Sequence, residues 1–247
     1  MTTGPMTTGP MTTGPMTTGP MTTGPMTGGR LSLRALNRAT LDRQLLLRRA
    51  ARPGGETVAH LAGMQSQAPL APYVGLWTRL ADFRPAHLEN LVTERAVVRA
   101  HVMRNTVHLI GARDFAAFRP LFQPLIDRAL RGAFGRRLAG VDLAAVTQIA
   151  SALLAERPLT RVQLAAELAP HWPDHDRAAL AYAATHLLPL VQVPPRGLWS
   201  QTGPATFFLA SAWLAGASAP ADPPPGAPVS RPCPGSCPST TTCGRRG

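Results

Sequence analysis

The chain has 247 residues, enough for one large domain or two small ones with a sizeable core, and its 25 basic residues, all arginine, outweigh 13 acidic ones for a formal charge of +12. That balance favours a polyanionic partner, through steering and counterion release, over an acidic-leaning metabolic enzyme. Cys233, Cys237 and Cys243 all fall near the C-terminus, so no disulfide framework holds the body. There is no basic-then-apolar leader, and no apolar run reaches the roughly 20 residues a membrane span needs, so a soluble, cytoplasmic protein without a membrane partner is expected.

Residues 1–25 are five copies of MTTGP, with a proline and a glycine in every unit and almost no apolar surface to bury. Residues 1–29 are therefore expected to be disordered, and no function is assigned to them. From residue 30 apolar residues recur at helical spacing. Thr40 is read as the N-cap of a helix over LDRQLLLRRA, with Leu41, Leu45 and Leu46 on one face and Arg48 and Arg49 at its end, which suits the helix dipole. A second helix is expected from Glu56 to about Met64, and Pro85 opens a third over HLENLVTER. AVVRAHV and TVHLI, between Ala96 and Ile110, read as two short strands. Asp114 to Phe122 and Leu125 to Leu138 read as two helices carrying Arg128, Arg131, Arg136 and Arg137 against only Asp127. These elements make up a first unit over residues 30–140.

The second unit, residues 141–216, is the most readable. VDLAAVTQIASALLAE is a helix that Pro158 breaks; Thr160 caps a short helix over RVQLAAEL; a Pro-bounded turn runs from Pro170 to Pro173; and DHDRAALAYAATHLL is a third helix. Two extended pieces follow, PLVQVPP and GLWSQTG, joined around Arg196 and Gly197. This is the order of a winged helix-turn-helix, whose third helix enters the major groove of DNA while its hairpin touches backbone. A generic helical domain ending in a hairpin has the same order. The fold class is thus mainly α with short β hairpins (α+β). The final helix, TFFLASAWLAG, offers an apolar face of Phe207, Phe208, Trp213 and Leu214 that needs something to pack on. Residues 217–247 lose all periodicity and are expected to be a disordered tail, an out-of-frame or replaced ending where a further domain would follow.

Four ordered blocks, LNRATLDRQLLLRRA, HLAGMQSQAPLAPYVGLWTRL, VRAHVMRNTVHLIGARDF and LLPLVQVPPRGLWSQTG, resemble the bacterial winged helix DNA-binding domain proteins that include the AlkZ-like DNA glycosylases, which unhook interstrand crosslinks. The resemblance implies tandem winged helix-turn-helix units, three of them arranged around double-stranded DNA, of which this chain matches the first two. It implies a monofunctional reaction with no metal and no cofactor, in a protein expected to be monomeric; no lysine exists here to form a Schiff base. The family's catalytic signature, two glutamines around one usually apolar residue, falls on Gln65 and Gln67, with Ser66 between them as a departure.

Without the resemblance, Gln65 and Gln67 would be ordinary loop or helix-end residues. With it, the chemistry is coherent. Side chains two apart diverge on a helix but share a side of an extended segment, and Gly63 ending a helix and Pro69 enforcing extension aim both amides at one point. A glutamine cannot ionise, but its carbonyl can hold a water in line while its amide donates to a base or sugar oxygen. That modest help suffices for an N7-alkylated purine, whose base is already cationic and leaves readily.

Met103 to His108 resembles the family's Arg-Gly-Thr-Leu-His segment with Asn105 in place of glycine, and asparagine tolerates left-handed backbone. Arg104, Thr106 and His108 are candidates for phosphate contact near a lesion; the alternative is that Thr106 and His108 simply face solvent on a strand. Arg136 and Arg137 in the arginine cluster, and Arg161, Arg177 and Arg196 on the short helix, third helix and wing, are candidates for DNA-backbone contact. His171, Asp174, His175 and Asp176 are dense in metal-ligand types but sit where aspartate is favoured for capping, so no metal site is assigned. Two readings compete with a crosslink-unhooking or alkylpurine glycosylase: a DNA-binding module without catalysis, and an inactive truncated member.

Overall fold

In the computed structural model, residues 31–216 are described. The expected disordered segments, residues 1–29 and 217–247, lie outside them. Helix α1 spans Leu33–Arg43 and is capped by Ser32, whose side chain accepts from the Ala35 amide. The helix expected from Thr40 therefore begins a full two turns earlier: Thr40 is interior, its hydroxyl donating to the Leu36 carbonyl at 2.9 Å, and Leu45, with φ of 56°, ends the run. No residue of α1 is buried.

The rest of the first half runs helix α2 (Gly54–His60), strand β1 (Met64–Gln65), helices α3 (Ala71–Trp77) and α4 (Pro85–Thr93), then strands β2 (Val97–His101) and β3 (Val107–Gly111). Helix α2 ends before the expected Met64 because Ala62 and Gly63 turn left-handed, φ 54° and 103°, which sends the chain straight into β1. Gly63 also lies where a Cβ would come 3.1 Å from the Leu109 carbonyl, so both backbone angle and space call for glycine. Helix α3 has no counterpart in the sequence reading: it has seven residues, Pro72 in its first turn and no side-chain cap.

Helix α5 (Ala112–Phe134) replaces the two helices expected there. Its prolines, Pro120 and Pro124, lie four apart on the exposed face, so the carbonyls they leave unbonded, those of Ala116 and Pro120, face water and the helix continues. The second half runs helix α6 (Leu143–Glu156), strand β4 (Leu159–Thr160), helices α7 (Arg161–Leu168) and α8 (Arg177–Leu187), strands β5 (Leu190–Val193) and β6 (Thr206–Leu209), and helix α9 (Ala210–Ala215). Asp142, Thr160 and Asp176 cap α6, α7 and α8, and Gln163 completes a capping box with Thr160. The second hairpin strand is TFFL, not GLWSQTG: Thr206–Leu209 pairs antiparallel with β5, so only the end of TFFLASAWLAG is helical.

Each half repeats helix, short strand, helix, helix, strand, strand. All six strands form one antiparallel sheet in the order β1-β3-β2-β5-β6-β4, and the halves meet where Arg99 and Ala100 of β2 pair with Gln192 and Val191 of β5. One core cluster fills each half, and a third spans the junction through Val98, Ala100, Ile110, Phe115, Val191 and Val193. Helix α8 is buried from Ala179 through His186 apart from Tyr182, because α6 and α7 pack on it and α5 crosses it, with Phe134 stacked on Tyr182 at 4.5 Å. Its N-terminal end, at Arg177 and Ala178, is exposed. Among the described residues no single helix is long and apolar enough to cross a membrane.

Candidate functional site

Strand β1 lies at the sheet edge, with Met64 opposite Leu109 and Gln65 opposite His108. The ladder continues one step through the Ser66 amide, which donates to the Val107 carbonyl at 2.8 Å, and ends with the Gln67 side chain, whose Oε1 accepts from the Val107 amide at 3.1 Å. Gln65 and Gln67 are exposed and Ser66 is fully buried, the alternation of an extended segment. Gln67 Oε1 is thus occupied while its Nε2 is left to donate. The Gln65 amide makes no hydrogen bond among the described residues.

Behind Ser66 lies Arg99 of β2, buried at 3% exposure. Its Nη1 donates to Ser66 Oγ at 2.7 Å and to the Pro69 carbonyl at 3.2 Å; its Nη2 donates to the Ser66 carbonyl at 3.0 Å and to Gln192 Oε1 at 3.3 Å. No carboxylate pairs with it among the described residues. Burial, and secondarily the nearby Arg196, lowers its pKa to about 10, so it stays charged at neutral pH. Gly197, φ 100°, closes over it: a Cβ there would sit 2.8 Å from Arg99 Cδ, and the Gly197 carbonyl accepts from the Tyr73 hydroxyl at 2.8 Å.

The β2–β3 turn lies beside this segment. Arg104 and Asn105 both take left-handed backbone, φ 53° and 55°, which puts the Arg104 side chain exposed at the tip. Thr106 donates its hydroxyl to the Met103 carbonyl at 3.1 Å. His108 does not face solvent: it is 3% exposed, its Nδ1 lies 2.9 Å from the Thr106 carbonyl, and burial lowers its pKa. Behind the turn, His101 and His186 stack at 5.8 Å. His186 Nδ1 donates to the Tyr182 carbonyl at 2.8 Å, which leaves Nε2 to accept from Asn105 Nδ2 at 3.3 Å. Burial, with Arg161, His186 and Arg119 nearby, pushes His101 down to about 3. Arg119 and Gln123 of α5 hold the His186 carbonyl, Arg119 at 2.7 Å, and Arg119 and Gln123 are bonded to each other.

The other candidate arginines fall into two groups, those without a hydrogen-bond or ion-pair partner among the described residues and those held by one. Arg136 and Arg177 are exposed. Arg137 lies 3.5 Å from Asp176, Arg196 donates to the Gly203 carbonyl at 2.7 Å, and Arg161 is half-buried over the rings of Tyr182 and Phe207, at 4.3 and 5.0 Å, with its Nε 3.3 Å from Thr185 Oγ1. Among the described residues no three His, Cys, Asp or Glu side chains are placed to share a metal ion, and Asp176 is spent on the α8 cap. Sequence reading missed Arg99, although its signal was present: a single arginine inside the apolar strand VVRAH.

A family model described as DNA glycosylase AlkZ-like matches residues 58–234, more than half of the chain. Among solved structures, Streptomyces sahachiroi DNA glycosylase AlkZ superposes with a TM-score of 0.54 at 20% identity, over 71% of this chain and 48% of that one. The chain thus spans about half the length of the solved structure it matches. No curated protein sequence matches it.

Proposed function

The chain belongs to the AlkZ-like DNA glycosylase family, and from that premise we propose that it binds double-stranded DNA through tandem winged-helix units and hydrolyses the N-glycosidic bond of N7-alkylated purines, including those held in interstrand crosslinks. The observation that carries this reading is the extended Gln65-Ser66-Gln67 segment at the sheet edge, with both amides exposed beside a turn tipped by Arg104.

In this reaction a water oxygen bonds to C1′ as the C1′–N9 bond breaks. The bonding pair neutralises the cationic base, the water's proton passes to solvent, and an abasic site remains. Gln65, with both ends of its amide open, holds the water through its carbonyl oxygen. Gln67, fixed through Oε1 by the Val107 amide, donates from Nε2 to a sugar or base oxygen. Arg104, Arg136 and Arg177 are the exposed cations for phosphate, with Thr106, Arg137 and Arg196 at the margins. His108, Nδ1 engaged with its own strand, and Arg161, laid over aromatic rings, act by supporting the turn and the second half.

The test is release of free N7-alkylguanine from alkylated duplex DNA, read by mass spectrometry, for the full chain and a Gln65→Ala, Gln67→Ala double variant. Release that disappears in the variant is the expected result. No release from a folded, DNA-binding protein would overturn it and leave a binding module without catalysis.

A further inference from the structure

We infer that Arg99 is a positioning residue: from beneath the sheet edge it fixes Ser66 through Pro69, and so sets the direction in which Gln65 and Gln67 present their amides. The inference rests on the reading of that pair as the site, but its structural half stands apart from activity. Four acceptors converge on this guanidinium, and three of them, Ser66 Oγ and the Ser66 and Pro69 carbonyls, belong to the one short segment that carries Gln67 and follows Gln65. The fourth, Gln192 Oε1, belongs to β5 of the other half. The fork of donors therefore ties the segment to the junction where the two halves of the sheet meet, so the glutamine pair is referenced to the whole sheet and not only to edge strand β1, which is two residues long.

The energetics argue that this is more than packing. A guanidinium buried among neutral acceptors, with no carboxylate among the described residues, is costly to desolvate, and an apolar side chain of similar volume commonly serves stability as well or better. An apolar side chain would fill the space without fixing the segment's direction, whereas the planar five-donor fork imposes one geometry on the acceptors it holds. The surroundings hold the fork in turn. Gly197 packs on its stem with no room for a Cβ, and the Tyr73 hydroxyl pins the Gly197 carbonyl. Burial of that hydroxyl pushes its pKa up to about 12, so it remains a donor throughout the working range.

The experiment uses the full chain with Arg99→Met and Arg99→Lys. Residue-resolved hydrogen exchange is read at the Ser66 and Val107 amides and, as an internal reference, at the β5–β6 ladder. The expected result is at least tenfold faster exchange at Ser66 and Val107 in Arg99→Met with the β5–β6 amides unchanged, and partial recovery in Arg99→Lys. Unchanged exchange at Ser66 and Val107, or an equal loss of protection across β5–β6, would overturn the inference, the second by making Arg99 a general stability residue. In parallel, Arg99→Met is expected to lower the single-turnover rate of base release at least tenfold while leaving DNA affinity within twofold. Equal losses in rate and affinity would also overturn it. If the unsubstituted protein releases no base, the glycosylase reading fails while the exchange data still decide whether Arg99 positions the segment.

Discussion

At the scale of single residues, the site depends on which polar atoms are satisfied and which are left open. Ser66 is fully buried and its hydroxyl accepts the shortest of the Arg99 bonds, 2.7 Å. Ser66→Ala leaves a buried N–H without that acceptor and is expected to lower stability by about 1–3 kcal/mol, measured by urea unfolding. The buried histidines set the pH dependence. His101, pushed down to about 3, stays neutral in the folded chain where the unfolded chain protonates near 6.5, and burial lowers His108 and His186 in the same direction. The unfolded state then binds more protons, so the stability His101 contributes is complete above about pH 6.5 and is lost as pH falls towards 3, and His108 and His186 act with the same sign. Each contributes a slope of up to about 1.4 kcal/mol per pH unit. Unfolding free energy is expected to fall between pH 7 and pH 5, and His101→Gln to flatten that fall; an unchanged slope would place the proton uptake elsewhere. The glutamine pair could be singled out only through a family pattern, because nothing about two exposed glutamines announces chemistry. Arg99 stood out as a lone arginine in VVRAH, but its partners, like the histidine stack, were hidden because contacts across strands depend on neighbours that the sequence does not order in space.

At the scale of elements, local chemistry made some pieces legible and long-range packing decided the others. Thr160 and its capping box, Pro85 at the start of α4 and the β-branched run of β2 are local signals, and each element formed where those residues placed it. Helix α1 was displaced because Ser32 supplied a cap earlier than Thr40. TFFL became a strand because β5 offered it a ladder, an event of pairing that helical spacing in TFFLASAWLAG concealed. Helix α5 kept its two prolines because both face water. The loop after β5 is tightly constrained at Gly197, by a φ of 100° and the approach of Arg99. Gly197→Ala is expected to cost about 2 kcal/mol, read as a lowered urea midpoint.

At the scale of the whole molecule, the mirrored strand order unites two similar halves through β2 and β5, and it puts the Gln65–Gln67 segment at one edge of a sheet whose other edge is β4. The three helices and the first hairpin strand of the second half were readable in sequence; the single sheet was not, because no local signal states that strands from different halves will pair. The cover that α5 lays over α8 was equally invisible, and it leaves Arg177 at the exposed end of that helix. With a formal charge of +12, binding to duplex DNA is expected to be strongly salt-dependent, and Arg104→Ala, Arg136→Ala and Arg177→Ala are each expected to reduce the slope of log affinity against log salt by about 0.9. Slopes that do not change would remove those side chains from the interface.

The most direct test of the account is single-turnover release of N7-alkylguanine by Gln65→Ala and Gln67→Ala, each measured with its DNA affinity. The account predicts a loss of at least a hundredfold in rate for Gln65→Ala, a smaller loss for Gln67→Ala, and affinities within twofold of the unsubstituted protein. Rates retained in both variants, or lost only in step with DNA affinity, would contradict it.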